Sequence, residues 1–217
     1  MESAVSVVVP ARNEETFLPE TLASLERIET DREYEVIVVD GLSHDRTAEQ
    51  AASVGATVVD GTGTGIGIDR NIGGSIASGK WVAFLDADTV VRPTWLDTMI
   101  EFLEAGNYIA GSSRCRMPGW RASLMAGSIN WVFPRMRKPI LPGFNFWVRK
   151  DVFDDTGGFS CVPNEDTEYS RRLARHGKTG YCPRRLVTHS SRRITETGLT
   201  GTLYHYVRLD VGRMRST

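Results

Sequence analysis

Two apolar runs near the N-terminus, Val5-Ser6-Val7-Val8-Val9 and Glu35-Val36-Ile37-Val38-Val39, are β-branched and nearly continuous rather than alternating. Such runs suit strands covered on both faces, hence parallel strands of an α/β sheet. Between them Phe17, Leu18, Leu22, Leu25 and Ile28 recur at helical spacing, with Pro19 where a first turn tolerates it, so the three segments predict a β-α-β unit. Ser43 to Ser53 reads as a second helix and Ala56 to Val59 as a third strand. Glycine then stands at every second position from Gly61 to Gly67, which predicts a loop able to approach a ligand closely. The pattern continues with a helix over Asp69–Ser78, a strand over Lys80–Leu85 and a helix over Pro93–Glu104. Beyond residue 106 the rhythm changes. Tyr108–Ser112 and Phe144–Val148 read as strands, Trp120–Phe133 and Glu165–His176 as helices, and Leu186–His189 as a short apolar segment. The expectation is one α/β domain: an open, mostly parallel central sheet with right-handed crossovers and helices on both faces.

Composition narrows this little. The chain has 217 residues, 41% of them apolar and 24% charged, as in an ordinary soluble domain with a real core. Cys115, Cys161 and Cys182 form no CxxC pair, which argues against a disulfide framework or a zinc site. Val5 to Pro10 is too short for a signal sequence, and no apolar run approaches the roughly 20 residues of a spanning helix. The expected location is the cytoplasm, or a peripheral position at the inner face of the membrane.

Charge changes the picture more. The net charge of -1 hides a balance of -12 over residues 1–104 and +11 over 105–217. Between Glu104 and Asp151 there is no acidic residue, whereas Arg114, Arg116, Arg121, Arg135, Arg137, Lys138, Arg149 and Lys150 are basic. A block of one sign that long points either to an anionic partner or to docking on the acidic half. Trp120 to Trp147 mixes arginine with aromatic residues, a combination suited to a lipid headgroup region; a core helix with solvated charges is the alternative.

Candidate chemistry collects at the strand ends. In an open α/β sheet ligands bind beyond the carboxyl ends of the strands. The first strand ends at Pro10-Ala11-Arg12-Asn13-Glu14, the second at Asp40-Gly41, and the fourth at Asp86-Ala87-Asp88, so three polar clusters fall on one rim. Asp86 and Asp88 could share one hard cation, Mn²⁺ or Mg²⁺, whose shell substrate phosphates complete. Glu165-Asp166 is a second carboxylate pair; it suits either catalysis or the N-terminus of a helix.

The blocks VVVPARNEE, VIVVDGLSHDRT, DRNIGGSIASGKWVAFLDADT and GGF followed by NEDTEYSRRL, in that order and spacing, resemble the family 2 glycosyltransferases of the GT-A fold over about residues 4–190. The resemblance implies a single Rossmann-like GT-A domain over residues 1–217. Residues 1–104 would bind the nucleotide sugar, 105–190 the acceptor, and 191–217 would form a tail. It implies inverting transfer of a sugar from a nucleotide diphosphate sugar, a UDP-sugar favoured, with a divalent cation as cofactor. Pro10, Ala11, Asn13 and Glu14 match the segment that lines the nucleotide pocket. Asp40 matches the acid that reads the base, Arg70 a basic residue near base or diphosphate, and Asp86, Ala87 and Asp88 the metal motif, with Asp88 the direct ligand. Asp166 matches the catalytic base, and His189 a late histidine that some members use as an extra metal ligand.

Simpler readings stand beside these. Asn13 or Asp40 could cap the following helix or turn, and Arg70 could pair with Asp69 or Glu49. Arg192 and Arg193 could contact a diphosphate or only solvent. The expected partners are the donor and an acceptor hydroxyl or phosphate, lipid-linked or anionic, with no nucleic acid. Leu199–Arg215 leaves a surface helix or a homo-oligomer contact open. Two other functions fit parts of the pattern. A sugar nucleotidyltransferase is disfavoured because ARNEET replaces a basic glycine-rich signature after the first strand. A non-catalytic nucleotide-sugar or carbohydrate-binding domain is disfavoured because Asp86, Asp88 and Asp166 occur together.

Overall fold

The computed structural model describes residues 4–136 and 139–192. Its first half follows the expected alternation. Strand β1 (Val5–Ala11) leads through α1 (Leu18–Glu26) to β2 (Tyr34–Asp40), then α2 (Thr47–Ser53), β3 (Thr57–Asp60), α3 (Ile66–Ile76) and β4 (Trp81–Leu85). β1 pairs in parallel with β2 on one side and β4 on the other, and β2 pairs in parallel with β3. A three-residue strand, β5 (Thr89–Val91), directly follows the Asp86–Asp88 turn and leads to α4 (Trp95–Ala105). The second half adds β6 (Ala110–Arg116), α5 (Trp120–Trp131) with a 3-10 turn at Phe133–Arg135, β7 (Asn145–Arg149), α6 (Lys150–Thr156), α7 (Glu165–His176) and β8 (Thr179–His189).

All eight strands form one sheet in the order β3-β2-β1-β4-β7-β6-β8-β5. Four of its seven pairings are parallel; β7 runs antiparallel to β4 and β6, and β5 antiparallel to β8. Alternate residues of each buried strand feed two cores. Val5, Val7 and Val9 pack with Leu18, Leu22, Trp95 and Met99 on one face. Val8 packs with Phe84, Phe146, Phe153, Phe159 and Tyr169 on the other. Helices therefore cover both faces, as the apolar runs required.

The glycine run differs from expectation at its end. Ile68 and Asp69 already donate to the Gly65 carbonyl, so α3 begins at Ile66 and takes Gly67 into its first turn. Gly73 and Gly74 do not weaken α3 but seat it. A Cβ on Gly73 would stand 2.4 Å from Val8 Cγ1, and one on Gly74 2.4 Å from Phe153 Cζ. α3 thus lies closer to the sheet than any helix with side chains there could. The expected segment Leu199–Arg215 falls outside the described residues.

Candidate functional site

The rim predicted from the strand ends exists. The backbone at Asn13 turns into the left-handed region, with φ 54°, directly after β1. Its N–H donates to Ser43 Oγ at 2.9 Å, and its Oδ1 accepts from the His44 N–H at 2.9 Å. Asn13 therefore ties the β1 end to the loop after β2. It does not cap α1, whose N-cap position is Phe17. Asp40 pairs with Ala11 across the β1–β2 ladder. Its Oδ2 accepts from the Ser43 N–H at 3.2 Å, whereas its buried Oδ1 has no partner among the described residues. An unpartnered buried acceptor is costly unless a ligand supplies the donor.

Beside Ala11 lies a cleft of about 320 Å³, with Pro10, Ala11 and Glu14 on one wall and Gly63–Ile66 and Asp69 on the other. The glycine segment is held by Asp69, whose Oδ1 accepts from the Thr62 N–H at 2.8 Å, and by Arg12, which donates to the Gly63 carbonyl. Sequence reasoning missed Asp69. The signal was present as an acid in the first turn of a helix that follows a glycine run.

Arg70 is buried and turns inward. Its guanidinium donates to Asp86 Oδ1 at 2.8 Å and to Glu165 Oε1 at 2.7 Å, 5.2 Å from the Phe159 ring. Neither Asp69 nor Glu49 is its partner; Glu49 pairs with Arg46. Burial opposes the charge on Arg70, yet Asp86, Glu165 and Asp166 outweigh it and hold its pKa above the ordinary value. Arg70 thus joins the two carboxylate pairs, whose bridged members Asp86 and Glu165 stand 79 positions apart in sequence. Gly143 completes this enclosure, since a Cβ there would come within 2.5 Å of the guanidinium.

Asp166 lies in the first turn of α7. Its Oδ2 accepts from the Gly143 N–H at 3.0 Å and its Oδ1 from the Thr167 N–H at 2.6 Å. Burial, and then the neighbouring Glu165, raise its pKa above the usual carboxylate value against the pull of Arg70 and the two N–H donors. A fixed carboxylate with a raised pKa has the properties of a general base.

The third cluster is built by strand register. β5 pairs antiparallel with β8 so that Thr89 faces His189, which sets the imidazole one residue from Asp88. His189 Nδ1 lies 3.4 Å from Asp88 Oδ1 and 2.9 Å from Thr89 Oγ1, and the Phe144 ring stacks on the imidazole at 4.5 Å. One ligand atom each from Asp86, Asp88 and His189 falls within 4.8 Å of the others. Two carboxylates and an imidazole form a donor set that could hold a divalent cation; the oxygens suit Mn²⁺ or Mg²⁺, and the imidazole suits Mn²⁺ better than the oxygen-seeking Mg²⁺. Burial raises the pKa of Asp88, with Asp86 and Glu14 adding to the effect against His189 and Arg192, so its charge is expensive without a cation nearby. Arg192 supplies part of that charge. It makes a bidentate pair with Glu14 at 2.9 and 2.8 Å, lies 3.6 Å from Asp88, and stacks over Phe17. Arg193 lies outside the described residues.

A Rossmann-like sheet with carboxylate clusters, an orphaned acceptor and a cleft on one rim defines a GT-A type domain. Residues 6–162 match the description "Glycosyl transferase family 2", and the chain belongs to that family. A Haemophilus influenzae protein named an uncharacterized glycosyltransferase is 32% identical over 118 residues, covering 52% of this chain and 40% of that one. A Pseudomonas aeruginosa undecaprenyl-phosphate 4-deoxy-4-formamido-L-arabinose transferase is 35% identical over 133 residues, covering 54% of this chain and 38% of its own. The chain thus spans about two fifths of the length of these curated relatives. A Pyrobaculum calidifontis mannosyltransferase solved with GDP-Man and Mn²⁺ superposes with TM-score 0.76 at 21% identity, over 96% of this chain and 64% of that one. S. aureus TarS in complex with UDP gives 0.71 at 20% identity, over 88% and 60%. At these identities the two structures share the fold.

Proposed function

We propose that this domain transfers a sugar, with inversion, from a nucleotide diphosphate sugar to the hydroxyl or phosphate of a lipid-linked acceptor, a UDP-sugar being the favoured donor. The observation that carries this reading is the Arg70 bridge. It ties Asp86, at one end of the candidate cation site, to Glu165 in the first turn of α7, next to Asp166. Asp40 Oδ1 accepts the ring N–H of the base, as an acceptor-only carboxylate is suited to do. Asp88, Asp86 and His189 would hold the divalent cation. When bound, it supplies positive charge against the diphosphate leaving group. Asp166 takes the proton of the acceptor as it attacks the anomeric carbon from the side opposite the leaving group. A donor with a nucleoside diphosphate is supported by the names of the solved neighbours, and a lipid-linked acceptor by the name of the Pseudomonas relative.

Calorimetric titration of UDP with and without Mn²⁺ tests this. Asp88→Ala should fold but lose the Mn²⁺-dependent part of binding, at least about tenfold for the loss of one direct ligand. Unchanged Mn²⁺-dependent binding in that variant would remove the cation site from the proposal.

A further inference from the structure

Helix α5 exposes three of its five large apolar side chains, Trp120, Leu124 and Trp131, on the side away from the core. Ala122, Ala126, Ile129 and Asn130 face the protein and are buried. Trp120, Leu124, Ser128 and Trp131 recur at i, i+4, i+8 and i+11, a stripe roughly 80° wide at 3.6 residues per turn. Trp120 is 71% exposed, Leu124 57%, Trp131 51%, and Val132 just beyond the helix 55%. Of the nine exposed large hydrophobic residues among those described, five lie between Trp120 and Met136, so this is a patch rather than scatter. The helix is not free to turn the stripe inward. Asn130 accepts from the Cys115 N–H and donates to the Cys115 carbonyl, both at 2.8 Å in the core, which fixes the rotation of α5 on β6.

The rim of the stripe is basic. Arg121 stacks over Trp120 at 5.0 Å, and Arg114 and Arg135 both stack on Trp131, at 4.4 and 4.8 Å. Among the described residues, Arg114, Arg116, Arg121 and Arg135 have no carboxylate within 4.0 Å. The basic block therefore does not dock on the acidic half through these arginines.

We propose that α5 and the turn after it are a peripheral docking face for an anionic phospholipid bilayer. Trp120, Leu124, Trp131 and Val132 enter the boundary between headgroups and acyl chains, and Arg116, Arg121 and Arg135 meet lipid phosphates. Tryptophan is favoured at that depth because its ring is apolar with one polar N–H, and arginine reaches from an apolar stem to the phosphate layer. A second copy of the chain fits less well. A two-fold contact would set the patch against itself, arginines facing arginines with no acid in the segment to relieve them. Docking also has a consequence that rests on the proposed transferase reading. Further along the chain Gly143 holds Asp166 and Phe144 stacks on His189, so docking at α5 would anchor the same stretch of chain that positions these two proposed site residues.

The protein carries its own reporter. Trp81, Trp95 and Trp147 are buried, so a fluorescence blue shift on adding vesicles reads Trp120 and Trp131. The full chain is mixed with vesicles of phosphatidylcholine alone or with an equimolar share of phosphatidylglycerol, then floated on a density gradient. Expected are a blue shift and flotation with the anionic vesicles at low salt, both weakened by high salt. Trp120→Ser/Leu124→Ser, which leaves the buried face intact, should weaken binding by about tenfold or more. Arg116→Glu/Arg121→Glu should do the same through charge alone, and gives the result if the first variant fails to fold. The proposal is overturned by no flotation at low salt, by equal binding to neutral vesicles, or by folded variants that bind like the parent. It is equally overturned by a vesicle-free dimer that the double variant converts to monomer. UDP binding with Mn²⁺, measured on the same samples, separates the two readings: its absence with docking intact removes the UDP-donor reading alone.

Discussion

In the proposed role of base, Asp166 would combine two demands that pull against each other. It would have to be ionised to take a proton, yet burial and Glu165 raise its pKa. A carboxylate whose folded pKa is raised contributes its full share of stability below about pH 4, where it is protonated in both folded and unfolded chains. That share is lost as pH rises through the folded pKa, because the folded state then holds a charge that water would solvate better. Asparagine lacks this titration. The thermal midpoint of Asp166→Asn, relative to the parent, should therefore shift in favour of the variant between pH 4 and pH 8. Transfer should fall by about 10²- to 10⁴-fold, the usual contribution of a positioned base, while UDP binding persists. Midpoints that stay parallel across that range would show that Asp166 is not held at a raised pKa. The same carboxylate shows where sequence reading stops. Its place at the start of a helix is legible from the acids of the first turn. Its coupling to Arg70, through Glu165, spans 95 positions and has no local signature.

At the scale of elements, α3 decides how Arg70 reaches its partners. The helix lies so close to the sheet that a Cβ on Gly73 would come within 2.4 Å of Val8 Cγ1 and 2.9 Å of Val39 Cγ2. Alanine is the better helix former by about 1 kcal/mol, so propensity alone predicts that Gly73→Ala stabilises. Packing predicts the opposite. A Cβ 2.4 Å from Val8 Cγ1 meets a stiff β-branched residue in a fully buried strand, which cannot swing aside. Overpacking of this kind costs about 1–3 kcal/mol and should win. Urea denaturation of Gly73→Ala should give a lower midpoint, and a gain in stability would mean that α3 sits further from the sheet. The first seven elements, β1 through β4, were legible because two-faced parallel strands are continuous apolar runs that stop at polar rims. β8 was not, beyond its last four residues: Pro183, Arg184 and Arg185 interrupt it, and its pairing with β6 slips on either side of Arg114. β5 is three residues long and α6 seven, too short for either period to register. β7 was found, but not its direction, since a strand buried on both faces reads alike both ways.

On the scale of the whole molecule, the two halves of opposite charge share one sheet rather than standing as separate bodies. β4 of the acidic half pairs with β7 of the basic half over five residues, and β5 pairs with the end of β8. The candidate cation cluster therefore draws Asp86 and Asp88 from one half and His189 from the other, and the Arg70 bridge runs from α3 to α7. A ligand that engages the rim holds both halves at once, so its binding energy should appear in the unfolding of the entire sheet. At a hundredfold excess over its Kd, a ligand of the native state adds about 2.7 kcal/mol. For a chain of this size each kcal/mol raises Tm by about 2–4 °C. UDP with Mn²⁺ should therefore raise Tm by about 5–10 °C in a single transition, seen alike by far-ultraviolet circular dichroism and by fluorescence of the buried tryptophans on either side of the β4–β7 seam. If the ligand splits the melt in two and moves only the first part, residues 1–104 unfold independently, and the seam does not couple the proposed donor site to Asp166.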